Sequence, residues 1–581
     1  MSGGHRGLAV GLMVSAASGL AAVPAPASQG SRFRPAVHGR LGVVATESPA
    51  AGRVGLRMLE RGGNAVDAAV ATVFALNVAR PQSCGIGGGG FAVYRRADGR
   101  VATVDFRERA PFRFTPRSLL PPGLHKSFTG HLTVGVPGTV AGMDLLLRHY
   151  GTRTLAQAVA PAASLAGRGV RVTHSLSASM TANAARLRLF PAAAAQYLRH
   201  GRAYPPGSIL RQPALARTLR LIAGHGPGAF YRGVVAGQIV ADMRTARGRR
   251  GDAARLALAD LAAYRARLRS AVIGRYRGYT VISVPPPSSG GTTLVEILNI
   301  LSGFDLRGLG PSSVQTLHLL AEAQKLAWAD RDAYVADPDR IRVPIRGLIS
   351  ARYAAQRRAQ IDPGRAGSYG PGTLAVGTRP RGAAADANPR ASTTHVSIID
   401  RFGNAIALTC TIEQEFGSAV VAPRTGFLLN NELTDFGPPG SANQPGPGKR
   451  PRSSMAPTIV LRGRTPVLVV GAAGGARIIM GVVETVLGVV DFGRDIAHAV
   501  DAERIDEPGG AMTVEDARVP PEVVGGLVAR GHVVIRVGEY DLRPRVQAAG
   551  VRLAGGLRSA VSDPRADEGS FAQPPARRGG R

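Results

Sequence analysis

Hydrophobic periodicity runs through most of this chain and fails from Asp362 to Ser392, where Gly, Pro, Ala and Arg dominate. It returns abruptly at Thr393-Thr394-His395, followed by Val396-Ser397-Ile398-Ile399-Asp400, which has the composition of a strand. This break divides a helix-rich part from a strand-dense part. By composition, residues 362–392 are a flexible linker. A cut before Thr393 gives that residue a free α-amine beside its own hydroxyl, so that one residue supplies both nucleophile and base.

Before the break, Ala65 to Leu76 follows Gly62-Gly63-Asn64 and is apolar on nearly every side, as a core helix is. After Gly85-Ile86-Gly87-Gly88-Gly89-Gly90 come two strand patterns, Phe91 to Tyr94 and Val101 to Phe106, with a turn at Asp98-Gly99. Helical spacing recurs over Val140 to Tyr150, Leu155 to Ala166 and Val314 to Val335. Beyond Thr393 we expect strands at His395 to Ile399, Asn404 to Ile412, Gly426 to Leu429, Thr458 to Leu461 and Pro466 to Val470. A helix from Ala476 to Val490 should follow Gly474-Gly475.

The glycine run at Gly85 is not a dinucleotide loop, because that fingerprint needs a strand before it and a helix after it, and here the order is reversed. We read it as a place where backbones approach closely. His395 invites comparison with a Ser/His/Asp triad, but adjacent strand residues point to opposite faces, so we read it as a packed histidine.

With 44% hydrophobic and 19% charged residues, the 581-residue chain is globular and long enough for a large core. The 72 Lys plus Arg against 39 Asp plus Glu leave a net +33. Lysine occurs only at Lys126, Lys325 and Lys449, and the arginines are scattered among Ala, Gly and Pro. That is a compositional bias rather than a binding stripe, so we assign no nucleic-acid partner. Cys84 and Cys410 fit no metal spacing, and we read each as a small buried hydrophobe rather than a disulfide partner. His5-Arg6, the apolar stretch Leu8 to Val23 and Ala25-Pro26-Ala27 resemble a secretory signal over residues 1–27, with an uncleaved anchor as the alternative. The protein is therefore expected to be periplasmic, extracellular or tethered at its N-terminus. Residues from about 572 to 581 read as a disordered tail.

Ordered motifs then accumulate: Gly42-Val43-Val44-Ala45, Gly62-Gly63-Asn64-Ala65-Val66-Asp67, Asp105-Phe106-Arg107-Glu108, Gly135-Val136-Pro137-Gly138-Thr139, Pro286-Pro287-Ser288-Ser289-Gly290-Gly291, Thr393-Thr394-His395, Leu429-Asn430-Asn431-Glu432, Pro451-Arg452-Ser453-Ser454-Met455, Gly474-Gly475 and Ser562-Asp563-Pro564-Arg565. With these the chain resembles the γ-glutamyltransferases (glutathione hydrolases), a family of N-terminal-nucleophile hydrolases. The resemblance implies an α/β four-layer αββα sandwich built jointly by two subunits of one precursor. The large subunit, residues 28–392, and the small one, residues 393–581, would form a heterodimer after self-cleavage before Thr393.

The same resemblance implies the site. Thr393 is the nucleophile, Thr411 the second threonine that hydrogen-bonds it, and Gly474 and Gly475 the oxyanion hole. From the residues alone Thr411 could equally be strand filler, and the two glycines a tight turn. Arg107, with Ser453 and Ser454, would bind the donor's α-carboxylate, and Glu432 and Asp435 its α-ammonium. Glu413 stands where the family usually has asparagine, which places three acidic groups near one ammonium. The loop from Gly437 to Arg452 carries no aromatic residue, so a lid with an aromatic gate is not expected.

The implied donors are γ-glutamyl compounds such as glutathione, the acceptors water, amino acids or peptides, and no metal or organic cofactor is called for. Rival readings are a related acylase for β-lactam side chains, a poly-γ-glutamate hydrolase, and an inactive exported binding protein on the same scaffold.

Overall fold

A computed structural model describes residues 32–116, 118, 128–246, 255–374, 391–567 and 569–574. The expected signal segment, the middle of the expected linker and the last residues of the expected tail lie outside these. The chain from Arg34 onward forms one compact unit. No described helix is long and apolar enough to cross a membrane.

Two seven-stranded antiparallel sheets form the centre. In chain order their strands are β1 (Val37–Gly39), β2 (Val43–Thr46), β3 (Gly89–Arg95), β4 (Val101–Asp105), β5 (Arg267–Arg269), β6 (Val272–Tyr276), β7 (Tyr279–Ser283), β8 (Ala391–Ile399), β9 (Ala405–Gln414), β10 (Thr458–Arg462), β11 (Thr465–Ala473), β12 (Arg545–Val551), β13 (Arg558–Ser562) and β14 (Phe571–Ala572). One sheet runs β1-β13-β12-β11-β10-β7-β6 and the other β14-β2-β8-β9-β3-β4-β5. β8 and β9 of the second sheet pack on β11 and β12 of the first. Helices α1 (Pro49–Glu60), α2 (Ala65–Ala79), α3 (Thr139–Tyr150) and α4 (Leu155–Arg168) lie on the outer side of the second sheet. On the first sheet lie α5 (Gly290–Leu301) and α7 (Ile478–Val490), with α6 (Val314–Tyr334) packed on α5. This is the expected αββα sandwich.

The period of two in β8 and β9 sorts their side chains. Val396, Ile398, Ile406, Leu408, Cys410 and Ile412 join the buried cluster of α2, every residue of which is buried. Thr393, His395, Ser397, Thr409 and Thr411 face the other sheet. Gly471 on β11 makes room for the His395 ring, since a Cβ there would lie 2.3 Å from its Cε1. Asp400, in the turn after β8, accepts from the Ala65, Phe402 and Asn404 amides, so the nucleophile hairpin and the N-terminus of the core helix share one carboxylate.

The glycine run does let backbones meet: a Cβ on Gly88 would lie 1.9 Å from the Thr411 carbonyl oxygen, and one on Gly87 2.0 Å from that of Leu428.

Several expectations are corrected. Cys84 and Cys410 form a disulfide with Cα atoms 5.5 Å apart, because the loop after α2 passes directly over β9. The part of the expected linker from Asp362 to Leu374 is docked rather than free: His318 bonds the Asp362 carbonyl, Ala366 donates to Arg530, and Gly372 donates to Asp330. Residues 375–390 lie outside the described residues, and β8 already begins at Ala391. Gly426 to Leu429 makes only a bridge between Val421 and Leu428. The helix expected from Ala476 starts at Ile478, after a 3-10 turn over Gly475–Arg477. Of the expected tail, Ala572 pairs with Val43 in the second sheet.

Candidate active site

Antiparallel register places Thr393 directly opposite Thr411. The Thr393 hydroxyl donates to Thr411 Oγ1 at 3.2 Å, the Glu413 amide donates to the same oxygen at 2.8 Å, and Thr411 donates onward to the Ser392 carbonyl at 2.9 Å. A hydroxyl has one hydrogen and two lone pairs, so this uses Thr411 completely. The result is a polarised carbonyl at Ser392 with a hydroxyl on the next residue. Glu413 reaches Thr411 by adopting φ +75°, a left-handed conformation that costs a non-glycine residue about 1–2 kcal/mol.

His395 is two residues from Thr393 and so shares its face, contrary to the argument from opposite faces. It is nonetheless packed, because Nδ1 shares a 2.8 Å hydrogen bond with Thr409 Oγ1 and Nε2 a 3.0 Å bond with Ser397 Oγ. Burial lowers its pKa to about 3, which keeps it neutral.

Ten residues were expected at the site, and all except Gly474 line one cavity. Gly474, at φ +148°, stands behind it against Pro544, where a Cβ would lie 3.0 Å from the proline Cα. Gly475, at φ +65°, opens onto the cavity at the start of the turn leading into α7, where unpaired backbone N–H groups favour negative charge.

In the same cavity Arg107 is 1% exposed and donates through Nε to the Pro451 carbonyl (3.1 Å) and through Nη2 to that of Arg452 (2.8 Å). It also pairs with Glu432, and with Asp435 at 2.5 Å. The expected carboxylate binder and two of the expected ammonium acceptors therefore pair with one another. Burial works against the Arg107 charge, but Glu432, Asp435 and Glu108 outweigh it and raise its pKa. Burial, opposed by Arg107 and reinforced by Asp435, brings Glu432 up to about 7. Burial and then the charge of Glu432 raise the Glu108 pKa well above the usual carboxylate range, opposed by Arg107.

Ser453 and Ser454 edge the cavity beside Arg452. Arg331, not singled out in the sequence, donates to Ser454 Oγ at 2.7 Å. Arg545, also missed, is buried against Glu47 and points Nη2 at the Thr393 carbonyl at 3.5 Å. The one legible signal was an arginine within the apolar pattern of α6. Arg545 looked like any other scattered arginine.

The cavity holds about 50 Å³ in this uncut chain, well short of the roughly 300 Å³ at which ligand pockets begin. The loop from Gly437 to Arg452 is pinned to itself: Asn443 donates to the Asp435 carbonyl and accepts from the Arg452 amide, and Lys449 donates to Ala442 and Gln444. Among the described residues the one set with metal-ligand geometry, His318, Glu322 and His532, lies outside the cavity, and its two imidazoles already bond each other at 2.8 Å.

The family model described as Gamma-glutamyltranspeptidase matches residues 51–572. The glutathione hydrolase proenzyme of Pseudomonas sp. (strain A14) is 41% identical over 482 residues, 80% of this chain and 81% of that one. The acylase ACY 1 proenzyme of Pseudomonas sp. (strain SE83) is 39% identical over 537 residues, 90% of each chain. Among solved structures, the cephalosporin acylase from Bacillus halodurans superposes with a TM-score of 0.85 at 30% identity, covering 95% of this chain and 99% of that one. With the paired threonines, the buried arginine and its carboxylates in place, and the match spanning residues 51–572, the chain belongs to the γ-glutamyltranspeptidase family.

Proposed function

We propose that this chain is a glutathione hydrolase and γ-glutamyltransferase, made as an inactive precursor that cuts itself between Ser392 and Thr393. The observation that carries the reading is the Thr393–Thr411 pair with the Ser392 carbonyl hydrogen-bonded to Thr411. In maturation Thr393 Oγ1 attacks the Ser392 carbonyl carbon, the C–N bond breaks, and the hydroxyl proton ends on the new α-amine. Water then hydrolyses the ester to a Ser392 carboxylate and a free Thr393 hydroxyl. Departure of the new C-terminus enlarges the site.

In the mature enzyme the α-amine, with a pKa near ~7.7–8.0, takes the hydroxyl proton as Thr393 attacks the γ-amide carbon. The amine product leaves with a proton, and water or an acceptor amine resolves the acyl-enzyme. Gly475, with Gly474 behind it, stabilises the oxyanion through backbone N–H groups. Arg107, Ser453 and Ser454 hold the donor's α-carboxylate, and Glu432, Asp435 and Glu413 answer its ammonium. The Cys84–Cys410 disulfide supports export, since such bonds persist in oxidising compartments.

The test is the fate of Thr393→Ala. Wild type should resolve into two fragments on a reducing gel, the smaller beginning at Thr393, and the variant should stay one inactive chain. A wild type that is active and uncut would overturn the mechanism.

The second reading is a side-chain acylase, favoured by the acylase relative and the cephalosporin acylase neighbour. A glutaryl group lacks the α-ammonium for which Asp435 and Glu432 are placed. Initial rates on γ-glutamyl and glutaryl anilides separate the two.

A further inference from the structure

Arg331, on α6, is 1% exposed. A guanidinium at that depth is retained only when its donors are satisfied. Nε donates to Ser289 Oγ at 2.8 Å, Nη1 to Asp332 Oδ1 at 2.7 Å and Nη2 to Ser454 Oγ at 2.7 Å. Ser289 passes the contact on, since its hydroxyl and its amide each donate to the Ser453 carbonyl at 2.7 Å. One planar cation thus grips the Ser453-Ser454 segment twice, through a backbone carbonyl and through a hydroxyl. Arg452 steadies the same corner, donating to the Arg331 carbonyl at 3.1 Å and pairing with Asp332 at 2.7 Å.

The consequence lies in the Ser454 hydroxyl hydrogen. An oxygen that accepts from a guanidinium turns its own hydrogen away from that donor, and Ser454 lines the cavity that holds Arg107. We infer that Arg331 is a positioning residue for donor recognition: acting through Ser454, it aims a hydroxyl hydrogen at the donor's α-carboxylate and holds the serine pair at the right depth. The inference rests on the γ-glutamyl reading of the site. Arg331 itself does not touch the reacting atoms, so its removal should weaken donor binding and spare the chemical step.

Three anilides separate this role from a structural one. γ-Glutamyl anilide has both α-groups, glutaryl anilide keeps the carboxylate without the ammonium, and 4-aminobutyryl anilide keeps the ammonium without the carboxylate. With matured enzyme, Arg331→Gln and Ser454→Ala should each raise KM for the two carboxylate donors about tenfold or more, the scale of a hydrogen bond to a charged group. For Arg331→Gln kcat should hold within about threefold, and kcat/KM for the 4-aminobutyryl donor should not change. Arg331→Gln should raise KM less in the Ser454→Ala background than it does alone, because part of its effect runs through Ser454 and the rest through Ser289 and Ser453. An equal loss on all three donors, or fully additive effects in the double variant, overturns the inference. If Arg331→Gln does not mature into two fragments, Ser454→Ala decides alone, and an unchanged KM for the carboxylate donors overturns it. Wild type inactive on all three would instead defeat the γ-glutamyl reading, and the inference with it.

Discussion

Three residues carry the sharpest expectations. Thr411 donates to the Ser392 carbonyl in the uncut chain, so Thr411→Val should slow self-cleavage by about 10²–10³, the usual cost of losing one oxyanion donor, while Thr411→Ser should retain most of it. A time course of fragment appearance measures this. Glu432 must be a carboxylate to accept an ammonium, yet burial brings its pKa up to about 7. Donor kcat/KM should therefore rise with pH through about 7 and fall below it, and Glu432→Gln should remove that inflection and leave the rise from the Thr393 amine. Glu413 sits at φ +75°, a region that asparagine tolerates far better than glutamate. Glu413→Asn should raise stability by about 1 kcal/mol, read as a higher midpoint in urea, without disturbing the amide that bonds Thr411.

At the level of elements, the nucleophile hairpin is held at three places: by Asp400 at its turn, by α2 on one face and by the Cys84–Cys410 disulfide beside Thr411. The disulfide spans the proposed cut, with Cys84 before Ser392 and Cys410 after Thr393. Matured enzyme should therefore run as one band on a non-reducing gel and as two after reduction. Cys84→Ala should separate the fragments without reductant and cost about 2–4 kcal/mol; two bands without reductant in wild type would exclude the bridge. The hairpin was legible in the sequence because its turn chemistry and alternation are local. The bridge was not, since no pattern across a sequence separation of 326 says which loop crosses which strand. The docked stretch from Asp362 to Leu374 misled for a related reason: its bonds go to α6 and to Arg530, and composition records none of them.

Across the whole molecule, the fold brings Arg107 from one part of the chain into a single cavity with Thr393, Glu432, Asp435, Ser453 and Ser454 from the other. The pinned Gly437–Arg452 loop carries no aromatic residue to serve as a gate over this cavity. Water should then compete well with acceptors, and a transfer-to-hydrolysis ratio far above one at modest acceptor concentration would contradict that geometry. Nine of the ten expected site residues share that cavity, because ordered motifs specify residue types even where spacing says nothing about distance. Gly474 falls behind it, since only the turn into α7 decides which of two adjacent glycines faces inward.

By itself the sequence determined the elements, the αββα arrangement through its motifs, and the residue types of the chemistry, because helical and strand periods and turn residues are local. Only the tertiary structure decided how charges and hydrogen bonds are shared. It pairs Arg107 with Glu432 and Asp435, raises the Glu108 pKa by burial, joins two distant cysteines, and sets Arg331 behind Ser454. Each of these depends on burial and on groups far apart in the chain, and neither is written in the order of residues.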